Sequence, residues 1–83
     1  MKKVILITGG SSGIGKAIGE FLLEKGFIVY GTSRNASAIS NSKIKLVDLD
    51  VRNSDSIKAC IAKVLEFEGR IDVLINNAGV GIT

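Results

Sequence analysis

Three clusters of residues have the types and spacing that binding chemistry requires. The first is Thr8-Gly9-Gly10-Ser11-Ser12-Gly13-Ile14-Gly15. A tight turn needs a residue free to adopt positive φ, and Gly9 supplies it. Gly13 lets a phosphate or ribose approach the backbone with no Cβ in the way. Gly15 allows close packing of a following helix. The N–H groups of a helix that opens here, with its dipole, favour an anion such as a pyrophosphate. The second cluster, Thr32-Ser33-Arg34, joins hydroxyl donors to a guanidinium that can grip a phosphate through two charge-assisted bonds. The third comprises Asp50-Val51 and Asn76-Asn77-Ala78-Gly79, a carboxylate and two amides at the ends of apolar runs.

The elements around these clusters alternate. Residues 4 to 8 are a continuous apolar, β-branched run, as in a strand covered on both faces. From Gly13 the period becomes helical: Ile14, Ala17, Ile18, Phe21 and Leu22 form one stripe, with Lys16, Glu20 and Glu24 opposite. Gly26 suits the position just past the helix end. Residues 27 to 32 read as a second strand, and the small polar segment 35–43 as a loop or a turn or two of helix. A third strand spans 44 to 51. Asn53 or Ser54 caps a second long helix, with Asp55 in its first turn. Its expected buried stripe is Ile57, Cys60, Ile61, Val64 and Leu65, and Gly69 ends it. A fourth strand spans 71 to 75. This order predicts an α/β fold: a Rossmann-like parallel sheet in spatial order 3-2-1-4, with helices on both faces. Only its first half, about four strands, is expected in residues 1–83, as a single portion of a domain truncated after the fourth strand.

Composition narrows the function classes. The net charge is +3, but the eleven basic residues are spread along the chain with no run longer than Lys2-Lys3. A solvated surface accounts for them, and no nucleic-acid partner is expected. A single cysteine and no histidine exclude an internal disulfide, a Cys/His pair and the usual zinc sites. Cys60 reads as a small apolar core residue. The apolar run after Lys3 is shorter than the roughly 7–15 residues of an export signal, and no stretch has transmembrane length. A cytoplasmic location without membrane association is expected.

Residues Gly10 to Ala17 nearly spell the NTPase phosphate loop, G-x-x-x-x-G-K-[ST], with Asp48 as a possible metal-binding acid. The mismatch is Ala17, where that loop needs a hydroxyl to hold Mg²⁺. The common dinucleotide fingerprint fails too, since Ile18 stands at its third glycine. The pattern present, T-G-x-x-x-G-x-G with Asp50-Val51 and Asn76-Asn77-Ala78-Gly79 at later strand ends, resembles the short-chain dehydrogenase/reductase family. The resemblance covers all 83 residues and only the first part of a typical member.

It implies that Gly9, Ser11, Ser12, Gly13, Ile14 and Gly15 wrap the pyrophosphate and adenosine ribose. It further implies that Asp50 bonds the adenine amino group with Val51 beside the ring. Asn77, Ala78 and Gly79 would line the cofactor ribose, with Asn76 or Asn77 also tying the fourth strand to its neighbours. An NAD site places an acid roughly 20 residues past the glycine loop, yet no Asp or Glu lies between Glu24 and Asp48. Ser33 and Arg34, with Thr32 as a further donor, instead resemble members that prefer NADP(H) over NAD(H). Members use a Ser, a Tyr and a Lys four residues after that Tyr, all beyond the fourth strand. Here the one tyrosine is Tyr30, followed four residues on by Arg34, and in a strand those positions are about 13 Å apart.

The expected reading is the NADP(H)-binding portion of an oxidoreductase. The full-length protein would transfer hydride to or from a small carbonyl or alcohol substrate, and the 83-residue chain would be inactive alone and prone to self-association. A nucleotide-binding module completed by a partner chain, and a degenerate NTPase, stay open at this point.

Overall fold

In the computed structural model, which describes residues 2–9, 13–36, 42–50 and 52–77, Val4–Thr8 forms the first strand, β1. All five of its residues are buried, because β1 lies inside the sheet with a helix over each face. The chain continues through α1 (Gly13–Glu24), β2 (Ile28–Ser33), β3 (Lys45–Asp48), α2 (Ser54–Glu68) and β4 (Val73–Asn76). The sheet order is β3-β2-β1-β4 and every pairing is parallel, as the alternation of elements predicts. β3 is shorter than expected, although the Leu49 N–H still reaches the Ser33 carbonyl at 2.9 Å.

The two-residue period of β1 divides the core. Val4 and Leu6 join Tyr30, Val47, Leu49, Cys60 and Val64 under α2. Ile5 and Ile7 join Val29 and Ile44 on the opposite face, with Ile18 and Leu22 of α1 packed against them. The helices therefore cover both faces, as expected. Each fully buried aliphatic side chain contributes about 1.5–3 kcal/mol.

Both helix stripes need correction. On α1, the residues in deepest contact are Gly15 and Gly19, while Ile14 and Phe21 are exposed. A Cβ on Gly19 would stand 2.9 Å from Ile44 Cδ1, so the helix approaches through its glycines and turns Ile14, Ala17 and Phe21 outward. Phe21 instead lies under Lys25 Nζ, 5.2 Å from the ring centroid. On α2, Cys60 and Val64 are buried, but Ile57, Ile61 and Leu65 are exposed. The helix rests on the β3 side of the sheet, so its other flank opens onto a groove shared with Leu74 of β4.

The ends of the helices follow local chemistry. After α1, Gly26 has φ 94, its N–H reaches the Leu23 carbonyl, and the Phe27 N–H reaches that of Leu22. This paired closure needs a left-handed residue at that point. Asn53 caps α2, its Oδ1 accepting the Asp55 and Ser56 N–H groups at 2.9 and 3.3 Å. Among the described residues, no helix is long and apolar enough to cross a membrane.

Asp72 fastens the amino ends of β1 and β4. Its Oδ2 accepts the Val4 N–H at 2.7 Å, its own N–H reaches the Val4 carbonyl at 2.9 Å, and Arg70 pairs with its carboxylate. Arg70 first, and then the Val4 N–H, hold the carboxyl below its ordinary pKa. A carboxylate lowered on folding contributes stability that is intact above about pH 4 and lost as pH falls through the lowered value. Asp72→Asn should therefore lower the melting temperature near neutral pH and flatten its decline on acidification. A stability profile parallel to that of the unmutated chain from neutral pH down to pH 2 contradicts this.

Candidate functional site

Buried hydroxyls organise the carboxyl ends of the strands. A threonine at the end of a buried strand must bond something, since water cannot reach it. Thr8 and Thr32 are both buried. The Thr32 Oγ1 accepts the Gly9 N–H at 2.9 Å. The Thr8 Oγ1 accepts the Asn77 N–H at 2.8 Å and lies 3.1 Å from Asn76 Oδ1 as donor. The Asn77 Nδ2 donates to the Gly9 carbonyl at 3.4 Å. β1, β2 and β4 thus meet at Gly9, the first residue of the turn toward α1.

The glycines of that turn act in three ways. Gly9 has φ 73 and Gly13 has φ 60, so both occupy the region that favours glycine. Among the described residues, a Cβ on Gly13 would meet no heavy atom within 4 Å, leaving space over the start of α1. Gly15 is buried, and a Cβ there would collide with the Gly9 carbonyl oxygen and stand 2.7 Å from Asn77 Nδ2. Its close approach is thus to the turn itself, and Gly19 supplies the contact with β1. Ile14 lies exposed beside this opening. Ser11 and Ser12 lie outside the described residues. α1 carries no acidic residue in its first turn, so nothing there opposes an anion.

The second group stands at the ends of β2 and β3. Ser33 is half-buried and Arg34 exposed. The Ser33 Oγ accepts the Asn35 N–H at 3.2 Å, and Asp48 Oδ1 accepts the Ala36 N–H at 2.7 Å. Thr32, expected to offer its hydroxyl to a ligand, is 2% exposed and committed to Gly9, so it serves the turn instead. Asp50 is half-buried. Arg52 meets its two oxygens at 3.1 and 3.3 Å and adds its backbone N–H at 3.0 Å. Arg52 first, with a smaller contribution from the Arg34 charge, holds the Asp50 carboxyl below its ordinary pKa. The Asp50 N–H is taken by Ser56 Oγ at 2.8 Å, linking β3 to α2. Val51, Ala78 and Gly79 lie outside the described residues.

The sequence reading missed Arg52 and the two threonines as holders of the site. The signals were present: Asp and Asn side chains bond backbone N–H groups two residues on, and Asp50-Val51-Arg52 has that spacing. Tyr30 and Cys60 take the structural roles expected. The Tyr30 hydroxyl donates to Glu68 at 2.6 Å, with Lys45 Nζ 3.6 Å from the same carboxylate oxygen. Burial, then the Glu68 bond, pushes Tyr30 up to about 12. Since α2 begins beside Asp50 and ends at Glu68, this hydroxyl faces the amino ends of the strands, away from the glycine turn. Burial also raises the Cys60 thiol.

A parallel sheet whose strand order reverses beside a glycine turn is the arrangement at which open α/β sheets commonly bind their ligands. Comparison with known proteins takes this further. The family model described as short chain dehydrogenase matches residues 3–83. The 3-ketodihydrosphingosine reductase of Bacteroides thetaiotaomicron is 49% identical over 80 residues, 96% of this chain and 29% of that protein. The 3-oxoacyl-(acyl-carrier-protein) reductase of Vibrio cholerae is 44% identical over 84 residues, 94% of this chain and 34% of the reductase. A metagenomic short-chain oxidoreductase solved in complex with NADP superposes with a TM-score of 0.81 at 36% identity, over 95% of this chain and 40% of that one.

The chain belongs to the short-chain dehydrogenase/reductase family, a family of oxidoreductases. It spans about a third of the length of these curated relatives. Membership leaves the NTPase reading without support.

The crowding at residue 15 is testable. Gly15→Ala puts a Cβ against a backbone carbonyl that cannot rotate away, so it should destabilise the fold by about 1–3 kcal/mol. Gly13→Ala should cost less, about 1–2 kcal/mol, through its positive φ alone. Urea unfolding of both variants checks this, and a fully stable Gly15→Ala chain contradicts it.

Proposed function

We propose that this chain is the dinucleotide-binding portion of a cytoplasmic NADP(H)-dependent oxidoreductase acting on a small carbonyl or alcohol. The observation that carries the reading is the glycine turn between β1 and α1, opening where the strand order reverses, with Arg34 at the end of the adjacent strand. The residues fit the group. Space over Gly13 among the described residues leaves room for a phosphate or ribose, and the amino end of α1, with no acidic residue in its first turn, favours its charge. In this reading Gly9, Ser11, Ser12, Gly13, Ile14 and Gly15 hold the pyrophosphate and adenosine ribose. Asp50 and Val51 take the adenine, and Asn77, Ala78 and Gly79 line the ribose. When bound, the dinucleotide supplies or accepts the hydride. The residues of this chain bind and orient it.

Preference for NADP(H) rests on Ser33 and Arg34. Arg34 is exposed, and among the described residues no hydrogen bond holds its guanidinium. The relatives solved with NADP or NADPH bound support the choice. A charge-assisted hydrogen bond contributes about 1.5–3 kcal/mol, so Arg34 should favour NADP(H) over NAD(H) by roughly ten- to a hundredfold. Arg34→Ala should erase most of that margin, and Ser33→Asp should turn it toward NAD(H). Titration of both cofactors at fixed ionic strength decides, and equal affinity in the unmutated protein removes the case for Arg34.

Residues 1–83 alone are expected not to turn over. Tyr30 is bonded to Glu68, and the family's Ser, Tyr and Lys have no counterpart in the sequence matched here. General acid catalysis of the kind they provide is worth roughly 10²–10⁴-fold. The same chain is expected to self-associate through β4, where Val73 and Leu74 are exposed on an edge strand. Sedimentation and NADPH oxidation can be read on one preparation. A monomer that persists on dilution removes the association, and enzyme-like turnover removes the dependence on further residues.

A further inference from the structure

We propose that Asp48, at the end of β3, is a positioning residue for recognition of the cofactor 2′-phosphate: its carboxylate fastens the turn that presents Arg34. The inference rests on the reading of Arg34 given above and goes beyond it, by naming what aims that side chain.

Asp48 stands opposite Ser33 in the β2–β3 register and is exposed. Its Oδ1 accepts the Ala36 N–H at 2.7 Å, within the short range of charge-assisted bonds. On the near side of Arg34, the Ser33 Oγ accepts the Asn35 N–H and the Ser33 carbonyl accepts the Leu49 N–H at 2.9 Å. The backbone is therefore fastened at residue 33 and again at residue 36, with Arg34 between. Its own side chain has no hydrogen bond among the described residues. Aim must come from the backbone beneath it. A turn fixed before binding leaves less freedom to lose when the guanidinium closes on a phosphate.

An acid beside a phosphate site would ordinarily work against it. Here one carboxylate oxygen is engaged by a backbone N–H, so Asp48 acts on the turn and not on the ligand. An asparagine keeps the acceptor oxygen without the charge, whereas an alanine keeps neither.

The experiment uses the protein expressed from its whole reading frame, unmutated and as Asp48→Asn and Asp48→Ala. NADPH and NADH are titrated at fixed ionic strength, and exchange of the Ala36 amide proton is followed in parallel. Asp48→Ala should lower the NADPH-to-NADH affinity ratio about three- to tenfold, the span of one hydrogen bond's net contribution. It should also hasten Ala36 exchange and leave NADH affinity in place, which shows that the variant is folded. Asp48→Asn should keep the ratio and the protection within about twofold. An unchanged ratio in Asp48→Ala overturns the proposal, as does an Asp48→Asn ratio that falls as far as the alanine variant's. Equal affinity for both cofactors in the unmutated protein overturns the Arg34 reading and this proposal together. It is told apart from failure of the proposal alone because it precedes any substitution.

Discussion

The carbonyl of Gly9 occupies the space that a side chain at residue 15 would need, and most of the architecture depends on that close approach. With no Cβ on Gly15, the first turn of α1 lies directly over the end of β1. The Gly9 N–H can then point at Thr32 on one side while its carbonyl faces Asn77 on the other. Pushing the carbonyl aside would strain both bonds, and with them the ties from β1 to β2 and to β4. The same crowding explains the rotation of α1 relative to its apolar stripe. A helix that approaches through Gly15 and Gly19 must turn Ile14 and Phe21 outward, whatever their hydrophobicity.

This is also why some of the structure was legible in the sequence and some was not. Strand order, parallel pairing and helices on both faces followed from the alternation of apolar runs with helical periodicity, because each run is long enough to permit one period only. Gly9, Gly26 and Gly69 were recognisable because a turn or a helix end demanded positive φ at each. The faces of the helices were misread for opposite reasons. Hydrophobicity marks residues able to be buried, but α1 is drawn in by glycines, which carry no such mark. α2 rests on the β3 side, so within residues 1–83 Ile57, Ile61 and Leu65 are exposed. The structural roles of Thr8 and Thr32 were not legible, and Thr32 was read as a ligand donor, because a hydroxyl in a strand looks the same whether it faces ligand or backbone. Only the partner distinguishes them.

Charges at the ends of β2 and β3 are arranged so that each acid has a bonding partner within the chain. Asp48 bonds a backbone N–H, and Asp50 is occupied by Arg52. Arg34 is the cation left facing outward without a hydrogen bond among the described residues, and its field contributes to the lowered pKa of Asp50. Pairing with Arg52 reduces the repulsion that Asp50 would offer an incoming anion, while an exposed arginine keeps its attraction. A count of charges, which gives +3, conveys none of this. The arrangement matters more than the sum.

Among the described residues the sheet ends on β3 at one side and on β4 at the other, and the two strands differ. β3 presents exposed Lys45 and Asp48, and charged side chains on an edge strand discourage pairing with another chain. β4 presents exposed Val73 and Leu74 and carries no charge in Val73–Asn76. Beside it runs the groove lined by Leu6, Leu49, Ile57, Ile61 and Leu74, with Thr8 and Asn76 also in its wall. Those last two residues belong to the bonds that fasten the glycine turn. Any polypeptide that covers the groove therefore lies against the residues that fasten the glycine turn. Thr8 and Asn76 belong both to the lining of this groove and to the network that, through Asn77, reaches the carbonyl of Gly9.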